Sequence, residues 1–158
     1  MTKPFFEKVN YAPEYVILPK RSTVSSAWYD FFASEDVTIP SLSKAILAWE
    51  TLKPTFVPTH VKAYMPGNMV LQIFNRSSNP IKIGLLLANW VWVVDADYYS
   101  NPDNDGHIQW IFWNTSAEDI VIKKWQKVFQ WVFMNYETVE NDEADGQRLG
   151  WFGSTGWH

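Results

Sequence analysis

Val61-Lys62-Ala63-Tyr64 and Met69-Val70-Leu71-Gln72-Ile73-Phe74 flank the turn signal Met65-Pro66-Gly67-Asn68. Two short runs of β-formers broken by a Pro-Gly pair read as consecutive strands joined by a hairpin connection. The same punctuation continues in both directions. Tyr29 to Ala33 and Val37 to Ile39 enclose the polar Ser34-Glu35-Asp36, while Val91 to Val94, Ile108 to Trp113 and Val128 to Phe133 are further apolar runs of strand length. Pro40, Pro54 and Pro58 mark strand ends and edges. Many short strands at close spacing predict an all-β fold, a sandwich or barrel. One helix is predicted, with Asn79 as cap, Pro80 at the first helical position and Ile81 to Ala88 as its body, Gly84 being tolerated.

Composition bounds the rest. A chain of 158 residues with 47% hydrophobic and 19% charged residues is expected to form a globular unit rather than a disordered segment. Residues 1–139 read as the β-domain. The tail turns polar and acidic at Glu140-Asn141-Asp142-Glu143-Ala144-Asp145 and then Gly-rich with scattered aromatics, so residues 140–158 are expected to be a mobile arm. A net charge of −4 without a Lys/Arg block argues against a nucleic-acid partner. No apolar run reaches the roughly 18–20 residues that span a bilayer, so no membrane association is expected. Met1 to Glu7 lacks a signal-like apolar segment, which makes a cytoplasmic, intracellular location the default expectation. Without cysteine there are no disulfides and no thiolate zinc site.

Three segments carry candidate chemistry. Arg76-Ser77-Ser78-Asn79-Pro80 places a guanidinium and two hydroxyls at a helix start, which suits an anion site and equally an ordinary capped helix. Asp95 and Asp97 end an apolar strand two residues apart; an extended backbone would project both from one face, as a general base needs, although turn aspartates are common. Asn101-Pro102-Asp103-Asn104-Asp105-Gly106 beyond them is a loop whose Asp/Asn alternation lacks the glutamate that closes a calcium loop. Gly150 to Gly156, with Arg148 nearby, reads as a loop able to fold around an anion. His60, His107 and His158 show no metal-ligand spacing and read as surface residues.

The order of these pieces adds what none carries alone. Ser26-Ala27-Trp28-Tyr29-Asp30, Arg76-Ser77-Ser78, Asn89 to Tyr98, Lys127-Val128-Phe129-Gln130 and Arg148 to Gly156 resemble the five ordered motifs of the trimeric dUTP pyrophosphatases (dUTPases), over nearly the whole chain. The resemblance implies a jelly-roll-like distorted β-barrel, a homotrimer with sites at subunit interfaces, and hydrolysis of dUTP to dUMP and pyrophosphate. It implies that Asp95 activates the attacking water, that Asn89 and the following hairpin read uracil, and that Tyr98 packs on the deoxyribose and excludes a 2′-hydroxyl. Arg76, Ser77, Ser78 and Gln130 would hold the phosphates. Asp30 would join, through water, a Mg²⁺ ion held mainly by the triphosphate. Arg148, Phe152, Ser154 and Thr155 would come from the arm of a neighbouring subunit.

The chain departs from that family in one systematic way. Trp28, Trp90, Trp92, Trp125, Trp131 and Trp151 stand where the family pattern calls for glycine, and His60 is another such position. Trp90 and Trp92, alternating along a strand, are expected to share one face and crowd the base. This feature raises the alternative of a catalytically impaired scaffold that only binds a nucleotide or protein. A carbohydrate-binding sandwich would explain the tryptophans but not the ordered motifs. Deamination of dCTP on the same fold would need a glutamate that Ile108 to Asn114 does not offer.

Overall fold

The computed structural model describes residues 2–146, 148 and 150. Twelve strands dominate it: β1 (Phe5–Lys8), β2 (Lys20–Arg21), β3 (Tyr29–Phe32), β4 (Val37–Ile39), β5 (Thr55–Pro58), β6 (Val61–Tyr64), β7 (Met69–Asn75), β8 (Leu85–Leu87), β9 (Val91–Asp95), β10 (Gln109–Asn114), β11 (Ile120–Ile122) and β12 (Lys127–Asn135). Two six-residue helices, α1 (Leu42–Leu47) and α2 (Ser78–Ile83), and a 3-10 turn over Ala96–Tyr98 complete the elements. The strands form a five-stranded sheet, β2-β3-β12-β7-β9, a three-stranded sheet, β5-β10-β8, and the pairs β1-β6 and β4-β11. All the named strand pairs are antiparallel. The all-β expectation holds, with the hydrogen bonding split among four sheets rather than closed into one ladder.

Alternation sets the core. Trp110 and Phe112 of β10, Phe31 of β3, Leu71 and Ile73 of β7 and Phe129 and Trp131 of β12 point inward and are fully buried. The rings interlock: Phe31 stacks on Trp131 at 3.7 Å and Trp110 on Phe129 at 3.5 Å between centroids. Among the described residues the buried indole N–H groups of Trp110 and Trp131 have no acceptor, each a cost of about 1–3 kcal/mol that ring packing must offset.

Three local expectations change. β6 and β7 are both present around Met65-Pro66-Gly67-Asn68, but they do not pair: β6 joins β1, while β7 lies between β12 and β9. The predicted helix is shorter and starts earlier. Ser77 is its first flanking residue, Gly84 ends it at φ 68°, and Leu85–Leu87 is strand. Asn79 does not cap. It is buried, and its amide donates to Asn75 Oδ1 and to the Val128 carbonyl, tying α2 to β7 and β12. Finally, α1 was not legible in the sequence: under two turns long, it leaves Ile46 and Leu47 exposed and has no apolar face to read.

Candidate functional site

The register of β7 against β9 decides where the candidate residues can meet. Val70 lies opposite Asp95 and Phe74 opposite Val91, so Asp95 closes one end of the ladder while Arg76 follows its other end. At about 3.3 Å per residue, the six steps from Val70 to Arg76 separate those ends by about 20 Å.

The Arg76 end is cationic. Arg76 leaves β7 and donates from Nη1 to the Lys127 carbonyl at 3.0 Å, which fixes the junction between β7 and α2 against β12. Ser77 is exposed there and Ser78 opens α2. Arg76, Ser78, Lys82 and Lys127 line one depression of about 380 Å³. Beside it, Gln130 of β12 lies in register with Asp30 of β3. The ladder shifts register between Lys127 and Phe129, a bulge that brings the Lys127 ammonium to 2.9 Å from the Asp30 carboxylate. Asp30 is buried. Burial alone would raise its carboxyl, but the Ser22 hydroxyl and the Lys127 ammonium outweigh that and hold it below the usual aspartate value. Gln130 approaches the other carboxylate oxygen at 3.5 Å.

The Asp95 end is anionic and differently built. Along β9 the pattern alternates, with Trp92 and Val94 buried and Val91, Val93 and Asp95 exposed. β9 is also an edge strand among the described residues, whose strands pair with it on one side only. After Asp95 the chain tightens into the 3-10 turn rather than staying extended, yet both carboxylates still converge: Arg148 Nη2 contacts Asp95 Oδ2 at 2.5 Å and Arg148 Nε contacts Asp97 Oδ1 at 2.9 Å. The Asn101 amide donates to the Gly150 carbonyl at 3.0 Å, so two described points beyond Gly146 rest on this end. Tyr98 is buried, its hydroxyl donating to the His107 carbonyl at 3.2 Å and accepting from Asn104 Nδ2 at 2.7 Å. Asn89 is exposed in the turn that feeds β9, near the Arg76 end of the strand. Phe152, Ser154, Thr155 and Trp151 lie outside the described residues.

His107 is not a surface residue. Its Nε2 accepts from the His60 and Thr59 amides at 2.8 and 3.3 Å, its ring stacks on His60, and burial pushes its pKa down to about 4. Burial also lowers His60, against the opposing pull of Glu35.

The backbone supports the glycine reading at several positions. His60, Trp90 and Trp125 adopt φ of 55°, 60° and 67°, and Trp49, which the sequence reading did not single out, adopts 55°. This left-handed region is where bulky residues are genuine outliers. Trp125 occupies the third position of a turn closed by Gln126 N–H on the Lys123 carbonyl, and its positive φ there is that of a type II turn, which favours glycine. The expectation that Trp90 and Trp92 share a face fails. Trp90 sits in the turn and is 83% exposed, whereas Trp92 is in the strand and 5% exposed, part of the core.

The dUTPase family model matches residues 14–156 of this chain. The chain belongs to the dUTPase family. A Lactococcus lactis deoxyuridine 5′-triphosphate nucleotidohydrolase is 44% identical over 155 residues, covering 96% of each chain. A Rickettsia conorii protein of the same name is 30% identical over 144 residues, 88% of each. The crystal structure of a Streptococcus mutans dUTPase superposes with a TM-score of 0.76 at 38% identity, over 85% of this chain and 98% of that one. A mutant dUTPase of phage phi11 of S. aureus, described with a structural Mg(II) ion, shares the fold at a TM-score of 0.67 and 16% identity, over 92% and 98%.

In this dUTPase-family chain two contributors escaped the sequence reading. Lys127 was visible only as the first residue of a motif, because nothing local announces the bulge that aims it at Asp30. Asn104 was read as a loop residue, because its contact with Tyr98 depends on how that loop folds back. Among the described residues no three His, Cys, Asp or Glu side chains gather as a metal cage. Asp30 offers a single carboxylate already bonded to Lys127, Ser22 and Gln130, so an ion near it would have to draw most of its ligands from elsewhere, as Mg²⁺ does from a polyphosphate. No helix among the described residues is long and apolar enough to cross a membrane.

Proposed function

We propose that this protein hydrolyses dUTP to dUMP and pyrophosphate in sites built between chains of a homotrimer. The observation that carries the proposal is the separation of the two ends of the β7–β9 ladder. A carboxylate that activates the attacking water must lie within hydrogen-bond reach of it, about 3 Å, and the groups holding the phosphates must lie equally near. Asp95 and Arg76, about 20 Å apart along one chain, cannot both serve one α-phosphate. Three copies around a threefold axis bring the Asp95 end of one chain against the Arg76 end of the next.

In that arrangement Asp95 orients the water and accepts its proton as it attacks the α-phosphorus, with pyrophosphate as the leaving group. Asn89 and the outer edge of β9 read uracil through side-chain amide and backbone groups. Tyr98 packs on the deoxyribose and leaves no space for a 2′-hydroxyl. From the neighbouring chain, Arg76, Ser77, Ser78 and Gln130 hold the phosphate chain, with charge-assisted bonds from the guanidinium. Asp30 would help hold a Mg²⁺ ion through water, and that ion would supply neutralisation of the phosphate charge. Residues 140–158 act as an arm that covers the site: Arg148 exchanges the carboxylates for the γ-phosphate, Phe152 stacks on uracil, and Ser154 and Thr155 bond phosphate oxygens. Pyrophosphate release from dUTP in the presence of Mg²⁺, with little from UTP or dCTP, is the expected result. An intact trimer that releases none from dUTP would overturn the proposal.

A further inference from the structure

The geometry points to Asn104 as the positioning residue that sets Tyr98 and thereby the preference for a deoxyribose over a ribose nucleotide. This rests on the reading of Tyr98 as the sugar-facing residue. Asn104-Asp105-Gly106-His107 form a tight turn closed by His107 N–H on the Asn104 carbonyl at 3.0 Å, and both central residues have positive φ, Asp105 at 56° and Gly106 at 74°. Such a turn favours Asp-Gly at its centre. Gly106 is required for a second reason: a Cβ there would lie 2.7 Å from the Tyr98 carbonyl oxygen and 2.8 Å from the Ser100 nitrogen. The turn therefore presses against the main chain of Tyr98.

The side chain of Asn104 holds the other end of the same tyrosine. Its Oδ1 accepts from Gly106 N–H at 3.1 Å, which leaves Nδ2 facing the Tyr98 hydroxyl at 2.7 Å. The backbone N–H of Gly106 can only donate, so its bond fixes Oδ1 on the turn side and Nδ2 on the phenol side, and the Tyr98 proton goes to the His107 carbonyl. The turn is also anchored on other segments of the chain. The Asp105 carboxylate binds Lys62 of β6 at 2.9 Å and accepts from the Asn10 amide at 2.7 Å. The His107 ring holds the Thr59 and His60 amides, and the Tyr11 hydroxyl donates to the Asn104 carbonyl at 3.2 Å. Tyr98 thus meets a brace fixed on three other segments, and Asn104 is the part of it that grips the phenol.

A gate that excludes one hydroxyl works only if the ring cannot yield. Freeing the phenol lets it tilt and admit the 2′-hydroxyl, raising kcat/KM for UTP relative to dUTP. Three variants test this: Asn104→Ala, Tyr98→Phe and their combination. Each single change is expected to lower the dUTP-over-UTP ratio of kcat/KM by about five- to tenfold, the scale of one lost hydrogen bond. The double variant is expected to be no worse than Tyr98→Phe, which already removes the Asn104 contact together with the bond to the His107 carbonyl. Asn104→Asp, which keeps an oxygen for Gly106 N–H but loses the donor, serves in place of the alanine if that variant does not fold. An unchanged ratio in these Asn104 variants, or a loss that adds fully to that of Tyr98→Phe, would overturn the inference. Tyr98→Ala separates the two levels. If it leaves the ratio intact, the sugar-facing reading falls. If it collapses the ratio while the Asn104 variants do not, that reading stands and the role of Asn104 alone is rejected.

Discussion

The two ends of the β7–β9 ladder are opposites. One gathers Arg76, Lys82 and Lys127 around a depression, with a buried carboxylate neutralised by a lysine. The other exposes Asp95 and Asp97, which take up Arg148 of the same chain. One sits on a β-bulge and a helix start; the other sits on an edge strand, a 3-10 turn and a loop held by histidines. In the proposed reading each end is half of what hydrolysis of the phosphoanhydride needs. The strand between them is too long for either half to finish the other, and in the proposed trimer their complementary charge is directed at a second copy of the chain.

Two substitutions break the comparison at its ends, and they are expected to differ in kind. Asp95→Asn keeps the shape but removes the proton acceptor, and should lower kcat about 10²- to 10⁴-fold with little change in dUTP affinity. Arg76→Ala removes a charge-assisted phosphate contact and should lower kcat/KM about ten- to hundredfold. Steady-state kinetics with pyrophosphate detection separates them. Equal effects of both on kcat and on KM would erase the distinction.

Acid should loosen one end before the other. His107 is held near pKa 4 in the folded protein, against about 6.5 when unfolded, so below pH 6.5 the unfolded chain binds more protons and stability falls as pH falls. From pH 7 to pH 5 the loss is about 2 kcal/mol, and His60 adds to it in the same direction. Asp30, lowered by Ser22 and Lys127, loses its contribution only as the pH drops below the ordinary aspartate range. Hydrogen exchange at pH 5 should therefore show lost protection at the Thr59 and His60 amides while β12 around Gln130 stays protected. Uniform loss would contradict the assignment.

The smallest effect concerns strain rather than chemistry. Trp90→Gly relieves a left-handed backbone without emptying the core and is expected to raise stability by up to about 1 kcal/mol. Trp92→Gly should instead cost about 3–5 kcal/mol, since that indole is buried. Thermal melts of the two variants moving in the same direction would contradict the placement of these side chains.

The strands were legible because alternation and turn chemistry are local. β9 and β10 appear in the sequence within a residue of where they stand. Pairing was not legible: Met65-Pro66-Gly67-Asn68 carries every sign of a hairpin, yet what its flanking strands bind is decided by residues far along the chain. Gly84 was read as tolerated inside a helix because propensity cannot distinguish a mid-helix glycine from a C-terminal stop. At the site, Asp95 and Arg76 were named from their order in the chain. Lys127 and Asn104 were not, since one depends on a bulge and the other on a loop folding back onto Tyr98. Trp90 and Trp92 share a residue type and a spacing of two. Only the positive φ at Trp90 shows that the strand, and hence the alternation, begins after it.

The central claim is that Asp95 and Arg76 of one site come from different chains, and subunit mixing tests it directly. Asp95→Asn and Arg76→Ala proteins, each retaining at most about a tenth of the unmutated kcat/KM, are co-expressed with different tags, and trimers carrying both tags are isolated. If neighbouring chains share each site, some sites pair an intact Asp95 from one parent with an intact Arg76 from the other. Every dual-tagged trimer then holds one intact site in three, whichever variant is in the majority, and should recover roughly a third of the unmutated turnover. If one chain supplies both residues, every site carries one defect and the mixed trimers stay as inactive as their parents.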